Sequence, residues 1–157
     1  MKIIEITGIK SENAKKMVGA LNAYLANLHV YYSNLRGFHW HVQGVTFFGM
    51  HAKLEELYDQ VFEQIDAVAE RVLMLDGIPT RRIEEIQGLA TLRETGVITD
   101  ATEITKQVLH SIKVLVEGER ELLSLAGELN DDATADLITG FLTMHEKQAW
   151  MFTALLQ

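Results

Sequence analysis

Two histidines and three acids in the first half of the chain have the donor atoms and the spacing to hold a transition-metal ion. His51 and Glu55 are four residues apart, and so are Asp66 and Glu70. At helical spacing each pair projects from one face and can grip one cation. His39 precedes His51 across a turn-like Gln43-Gly44, which allows the two imidazoles to lie close together. The same spacing forbids one chain from gathering all of these on one ion. Fifteen residues separate His51 from Asp66, about 22 Å along a straight helix, whereas donors to one ion must lie within a few ångströms of each other. Two antiparallel copies of the helix about a two-fold axis would set His51 and Glu55 of one chain opposite Asp66 and Glu70 of the other, and would make the site twice. Mixed imidazole and carboxylate donors suit Fe(II), Zn(II) or Mn(II), and so sparse a set leaves positions open for water or an oxidant.

The elements that must position these side chains are helices. Four long stretches carry apolar residues at alternating three- and four-residue steps, and strand alternation is nowhere sustained. The first stripe is Val18, Leu21, Leu25, Leu28, Tyr32 and Leu35, expected to start at Ser11 as N-cap and to stop near Gly37. The second is Leu54, Leu57, Val61, Ile65, Val68, Val72 and Leu75, ended by Asp76-Gly77-Ile78-Pro79, where the glycine is expected to supply the cap geometry and the only proline forbids continuation. The third starts at Asp100, with Glu103 three residues on, and carries Ile104, Val108, Leu115, Leu122, Ala126 and Leu129. The fourth follows Asn130-Asp131-Asp132 and carries Leu137, Phe141, Met144, Met151 and Leu155. About twenty residues, Thr80 to Thr99, join the second stretch to the third, enough to run the length of a bundle. Ile83, Ile86, Leu89 and Leu92 recur within them at every third residue, which suggests a short helix lying on the crossover. The expected fold is all-α, a ferritin-like four-helix bundle with one long crossover, formed by residues 1–157 as one domain.

Composition narrows the classes of function. The chain has 157 residues, 14 Lys and Arg against 22 Asp and Glu, a formal net charge of −8, and no cysteine. Such a molecule repels nucleic acid phosphates and attracts cations, and it has no disulfide, thiolate metal site or cysteine nucleophile. No apolar run approaches the ~18 residues of a membrane span, and the start of the chain is too short in apolar residues for a signal peptide, so a soluble, cytoplasmic protein is expected.

The run Asn34-Leu35-Arg36-Gly37-Phe38-His39-Trp40-His41, followed by Gly44, Phe48, His51, Glu55, Asp66 and Ala69-Glu70-Arg71, resembles the Dps-like miniferritins, the DNA-binding proteins from starved cells. The resemblance extends to Asp136-Leu137 and Glu146-Lys147-Gln148-Ala149-Trp150-Met151, and so covers essentially the whole chain. It implies a shell of twelve subunits with ferroxidase centres at two-fold interfaces and ferric mineral inside. It implies that His39 and His51 come from one subunit and Asp66 and Glu70 from its partner, with Glu55 in a weaker or second-metal role. Trp40 matches a tryptophan beside the centre that can relay electrons or quench radicals. Asp132 and Asp136 match acids lining iron-entry pores at three-fold axes. Iron is the implied metal, zinc its surrogate, and hydrogen peroxide the preferred oxidant. No histidine here follows a glutamate by three residues, so the Glu-x-x-His pairs of ordinary ferritins are missing.

The remaining candidates have plainer readings. His41 is expected as an exposed loop residue, with an auxiliary ligand role as the alternative, and His29, His110 and His145 as structural or surface residues with no partner at ligand spacing. Trp150 and the methionines are expected to pack. Asp131, Asp132 and Asp136 also complement the positive end of the fourth helix. The alternative function is a nucleoid-binding shell, whose contacts would fall to Lys10, Lys15, Lys16, Arg81 and Arg82. Against it, the first ten residues hold only Lys2 and Lys10 against Glu5, and the last are Leu155-Leu156-Gln157. Twelve copies at −8 each carry a formal −96. Tight DNA binding at neutral pH and physiological salt is not expected.

Overall fold

The computed structural model describes residues 2–157, and its described residues form six helices and no strand: α1 Ile3–Thr7, α2 Ser11–His41, α3 Phe47–Met74, α4 Ile83–Leu89, α5 Ala101–Leu129 and α6 Asp132–Ala154. The four long helices are those expected from periodicity, and α4 is the short helix of the crossover. Leu21, Leu25, Leu28, Leu54, Leu57, Val68, Val72, Ile104, Val108 and Leu115 are all buried in one core. Asp100 caps α5, its carboxylate accepting from Glu103 N at 2.8 Å. The fold is therefore a ferritin-like bundle with the long connection between its second and third long helices.

Three asparagines on α2 hold that connection down. Asn22 donates to Ile78 O and accepts from Thr80 N. Asn27 accepts from Thr91 N and Leu92 N, both at 2.9 Å. Asn34 donates to Arg93 O and accepts from Thr95 N, both at 3.0 Å. A crossover with little regular structure has backbone groups that no ladder satisfies, and these amides supply the partners.

The structure corrects several expectations. Ser11 is the first helical residue of α2 and not its cap; Lys10 occupies the cap position, without a side-chain cap bond. Gly37 does not stop α2, which runs one turn further to His41. A glycine costs a helix interior only about 1 kcal/mol relative to alanine, which tertiary packing here overrides. A short α1 precedes it, with Ile3 N and Ile4 N directed at the Asp76 carboxylate. At the end of α3 it is Asp76 that takes the left-handed conformation, with φ 56°, and not Gly77. Gly77 is needed for space: a Cβ there would lie 2.6 Å from Val18 Cγ2 and 2.9 Å from Val72 Cγ1.

The largest correction concerns α6. Its expected stripe does not form the core face: Leu137, Phe141 and Met144 are only partly buried, while Met151 and Leu155 are exposed. The buried face is Thr134, Ile138, His145, Gln148 and Phe152. Three of those five are polar, so hydropathy alone marked the wrong side. Each is hydrogen-bonded across the bundle, which is what makes its burial tolerable.

Candidate metal centre

His39 lies in the last turn of α2 and His51 in the first turns of α3, either side of a turn in which Gly44 has φ 100°. The two rings stack, centroids 3.7 Å apart and 17° from parallel. Each ring bonds the other residue's backbone. His39 Nδ1 lies 2.7 Å from His51 O, and His51 Nδ1 lies 2.8 Å from His39 O. A carbonyl can only accept, so each Nδ1 carries the proton and donates it. In the neutral imidazoles this leaves the lone pair of both Nε2 atoms free, as a metal ligand requires, with ring orientation fixed by the carbonyl behind it. Phe47 stacks on His51 at 5.0 Å, and Tyr58 sets its edge against His39 at 5.3 Å. These aromatic walls leave the pair little rotational freedom.

His39 is buried and His51 half-buried. Glu55 is exposed one turn beyond His51, near enough to Tyr58 for its charge to act there. The Tyr58 hydroxyl is pushed above its usual range by desolvation first, then by the charges of Glu55 and Asp59. Trp40 follows His39 on α2 and is 63% exposed, with the Arg36 guanidinium 5.3 Å from its ring and 5.0 Å from that of Tyr32.

Asp66 and Glu70 are exposed on the second half of α3, one turn apart. The structure does not bring them to the histidines. Among the described residues of one chain, no three His, Cys, Asp or Glu side chains gather closely enough to hold an ion. Asp132 and Asp136 are exposed in the first two turns of α6, while Asp131 is buried and engaged as that helix's cap. Asp131 Oδ1 accepts from Thr134 N, and it also pairs with Arg71 Nη2 at 2.6 Å.

His41 is not a loop residue. It ends α2, half-buried, with Nδ1 on Gly37 O at 2.8 Å. His145 is structural, as expected, but it has a partner that sequence spacing missed. It is fully buried, its Nδ1 lying 2.6 Å from Glu119 Oε1. The same oxygen accepts from the Tyr24 hydroxyl at 2.6 Å. Desolvation, then the Glu119 charge, raise Tyr24 well above its usual range. The partners come from α2, α5 and α6, and the only advance signal was the polarity of Glu119 on an otherwise apolar stripe. Trp150, expected to pack, is 70% exposed within the chain, and Met74 and Met151 are also exposed, whereas Met17 and Met50 are core.

Comparison with known proteins shows the family and the fold. The model of the ferritin-like domain matches residues 18–157. The chain is 41% identical over 153 residues to the DNA protection during starvation protein of Porphyromonas gingivalis, covering 98% of this chain and 96% of that one. Among solved structures it is similar to the Dps protein of Vibrio cholerae, described as one of the ferritin-like diiron-carboxylate proteins, with TM-score 0.93 and 34% identity over 95% of this chain and 94% of that one. It is also similar to a Dps protein from Bacillus brevis, with TM-score 0.91 and 34% identity over 95% and 100%. A zinc-soaked Dps of Listeria innocua aligns with TM-score 0.86 and 29% identity over 89% and 95%.

Proposed function

The chain belongs to the Dps family of ferritin-like proteins, and from that premise we propose that it oxidises Fe(II) at centres shared between two subunits and stores the ferric product inside a shell. The observation that carries this reading is the reciprocal His39 and His51 pair. Two imidazoles with their Nδ1 protons committed to backbone carbonyls and their Nε2 lone pairs free form one half of a ligand set, lacking only anionic donors. Asp66 and Glu70 of a two-fold related copy are those donors, and Glu55 adds a weaker oxygen ligand on the histidine side. Both acids are exposed in the single chain, and so are the apolar Trp40, Phe48 and Phe62 on α2 and α3, as an interface between copies requires.

In this reading Fe(II) is the substrate. The imidazoles bind it without charge, and the partner's carboxylates offset its charge. The ligand set is too sparse to fill the coordination sphere, which leaves room for an oxidant. Two Fe(II) ions supply the two electrons that, with two protons, reduce one hydrogen peroxide to two waters. Trp40 stands beside the centre to intercept one-electron products. Asp132 and Asp136 line the route by which Fe(II) enters a twelve-subunit shell in the cytoplasm. Zinc, with no accessible redox couple, would occupy the same donors and inhibit.

A DNA-protecting role has in its favour the name that the P. gingivalis relative shares with others from Bacillus anthracis, Brevibacillus brevis and Listeria innocua. The candidate contacts here are partly neutralised: Lys16 pairs with Glu12, and Arg82 with Glu84 and Glu85. With the net charge of −8, iron chemistry is the stronger reading. Complementation tests the shared centre. His51→Ala and Asp66→Ala variants should each be inactive, and the two co-assembled should recover about a quarter of wild-type ferroxidase, because half of randomly paired dimers regain one of two sites. A centre built within one chain would recover nothing.

A further inference from the structure

Arg71 takes no part in the proposed centre, yet it follows Glu70 directly and is buried where Glu70 is exposed. Its guanidinium makes a two-pronged contact with the start of α6. Nη2 meets Asp131 Oδ1 at 2.6 Å, and Nε donates to Thr134 Oγ1 at 2.8 Å. Thr134 Oγ1 in turn donates to Asp131 Oδ2 at 2.6 Å, and Thr134 N donates to Asp131 Oδ1 at 3.1 Å. Three buried side chains thus satisfy one another in a closed ring that ties the last turn of α3 to the cap of α6.

The apolar core residues of α3 around this point are Val61, Val68 and Val72, with Gln64 buried among them. Apolar burial of this kind is non-directional, and it tolerates small rotations of the helix about its axis. A charge-assisted fork is directional and does not. The difference matters because carboxylates stand roughly 6 Å from a helix axis, so a rotation of about 10° moves them by about 1 Å. An error of that size at a reacting centre can cost on the order of a hundredfold in rate.

We propose that Arg71 is a positioning residue of the acid half of the centre: by locking the rotation of α3 against α6 through Asp131 and Thr134, it aims Asp66 and Glu70 at the partner's imidazoles. The inference rests on the shared centre proposed above. It assigns the Arg71, Asp131 and Thr134 ring to the chemistry of the site and not to stability alone.

The test uses Co(II), whose visible spectrum reports coordination geometry without any redox step, on the assembled protein with Arg71→Lys, Thr134→Val and Thr134→Ser. Lysine keeps the charge but cannot form the fork, valine removes the hydroxyl, and serine restores it. Arg71→Lys and Thr134→Val should weaken Co(II) binding about tenfold and alter the ligand-field bands, with the oligomer intact by sedimentation, and Thr134→Ser should match wild type. If Asp66→Ala abolishes Co(II) binding in wild type while Arg71→Lys leaves affinity and spectrum unchanged, the positioning role is refuted and the shared centre stands. Co(II) binding indifferent to Asp66→Ala would refute the shared centre itself, and the positioning role with it. Loss of affinity in step with loss of helicity would reduce Arg71 to a structural tie.

Discussion

His29 is half-buried on α2, and desolvation holds its pKa below the usual histidine value. The unfolded chain, with the ordinary value of about 6.5, therefore takes up this proton first as pH falls. Stability from a neutral His29 is complete above that pH and is lost on acidification towards the lower folded value. His29→Gln should flatten the decline in unfolding free energy between about pH 6.5 and 5, measured by urea titration at several pH values. Glu119 carries more. It is fully buried and holds both Tyr24 and His145, so Glu119→Ala should destabilise the fold by about 3–5 kcal/mol in the same assay. At this scale the sequence was only partly readable. The spacings of His39, His51, Asp66 and Glu70 rest on helical geometry and needed no knowledge of other helices. The Glu119 triad and the bonds from Arg71 to Asp131 and Thr134 join residues 26 to 95 positions apart, and no local pattern encodes such meetings.

The long helices of the bundle were legible because each carries a continuous apolar stripe, and α4 because its isoleucines keep step. The inward side of α6 was not, because His145, Gln148 and Thr134 take core positions through hydrogen bonds that a hydropathy pattern cannot register. The end of α2 was misread at Gly37 for a related reason: local propensity is weak against the packing of Phe38 and Val42, both buried beyond it. Gly77 carries the clearest prediction at this scale. Its missing Cβ makes room for Val18 and Val72 where the crossover leaves α3. Gly77→Ala should destabilise by about 1–3 kcal/mol, seen as a lower Tm.

For the whole molecule, Trp40, Phe48 and Trp150 are exposed, and the shared centre proposed above requires a second copy of the chain, because among the described residues of one chain no three His, Cys, Asp or Glu side chains gather closely enough to hold an ion. The net charge sets the expectation for DNA. Retardation of duplex DNA in a gel should be absent at physiological salt, and any seen at very low salt should vanish steeply as salt is raised. In the proposed function the chain oxidises Fe(II) at a centre that needs Asp66 of one subunit and the histidines of another. Stopped-flow oxidation of Fe(II) by the apo-protein tests it most directly, with hydrogen peroxide and dissolved oxygen compared and the Asp66→Ala variant in parallel. Fast, peroxide-driven oxidation that the variant loses is the expected result. Wild type and variant both running at the protein-free rate would contradict it.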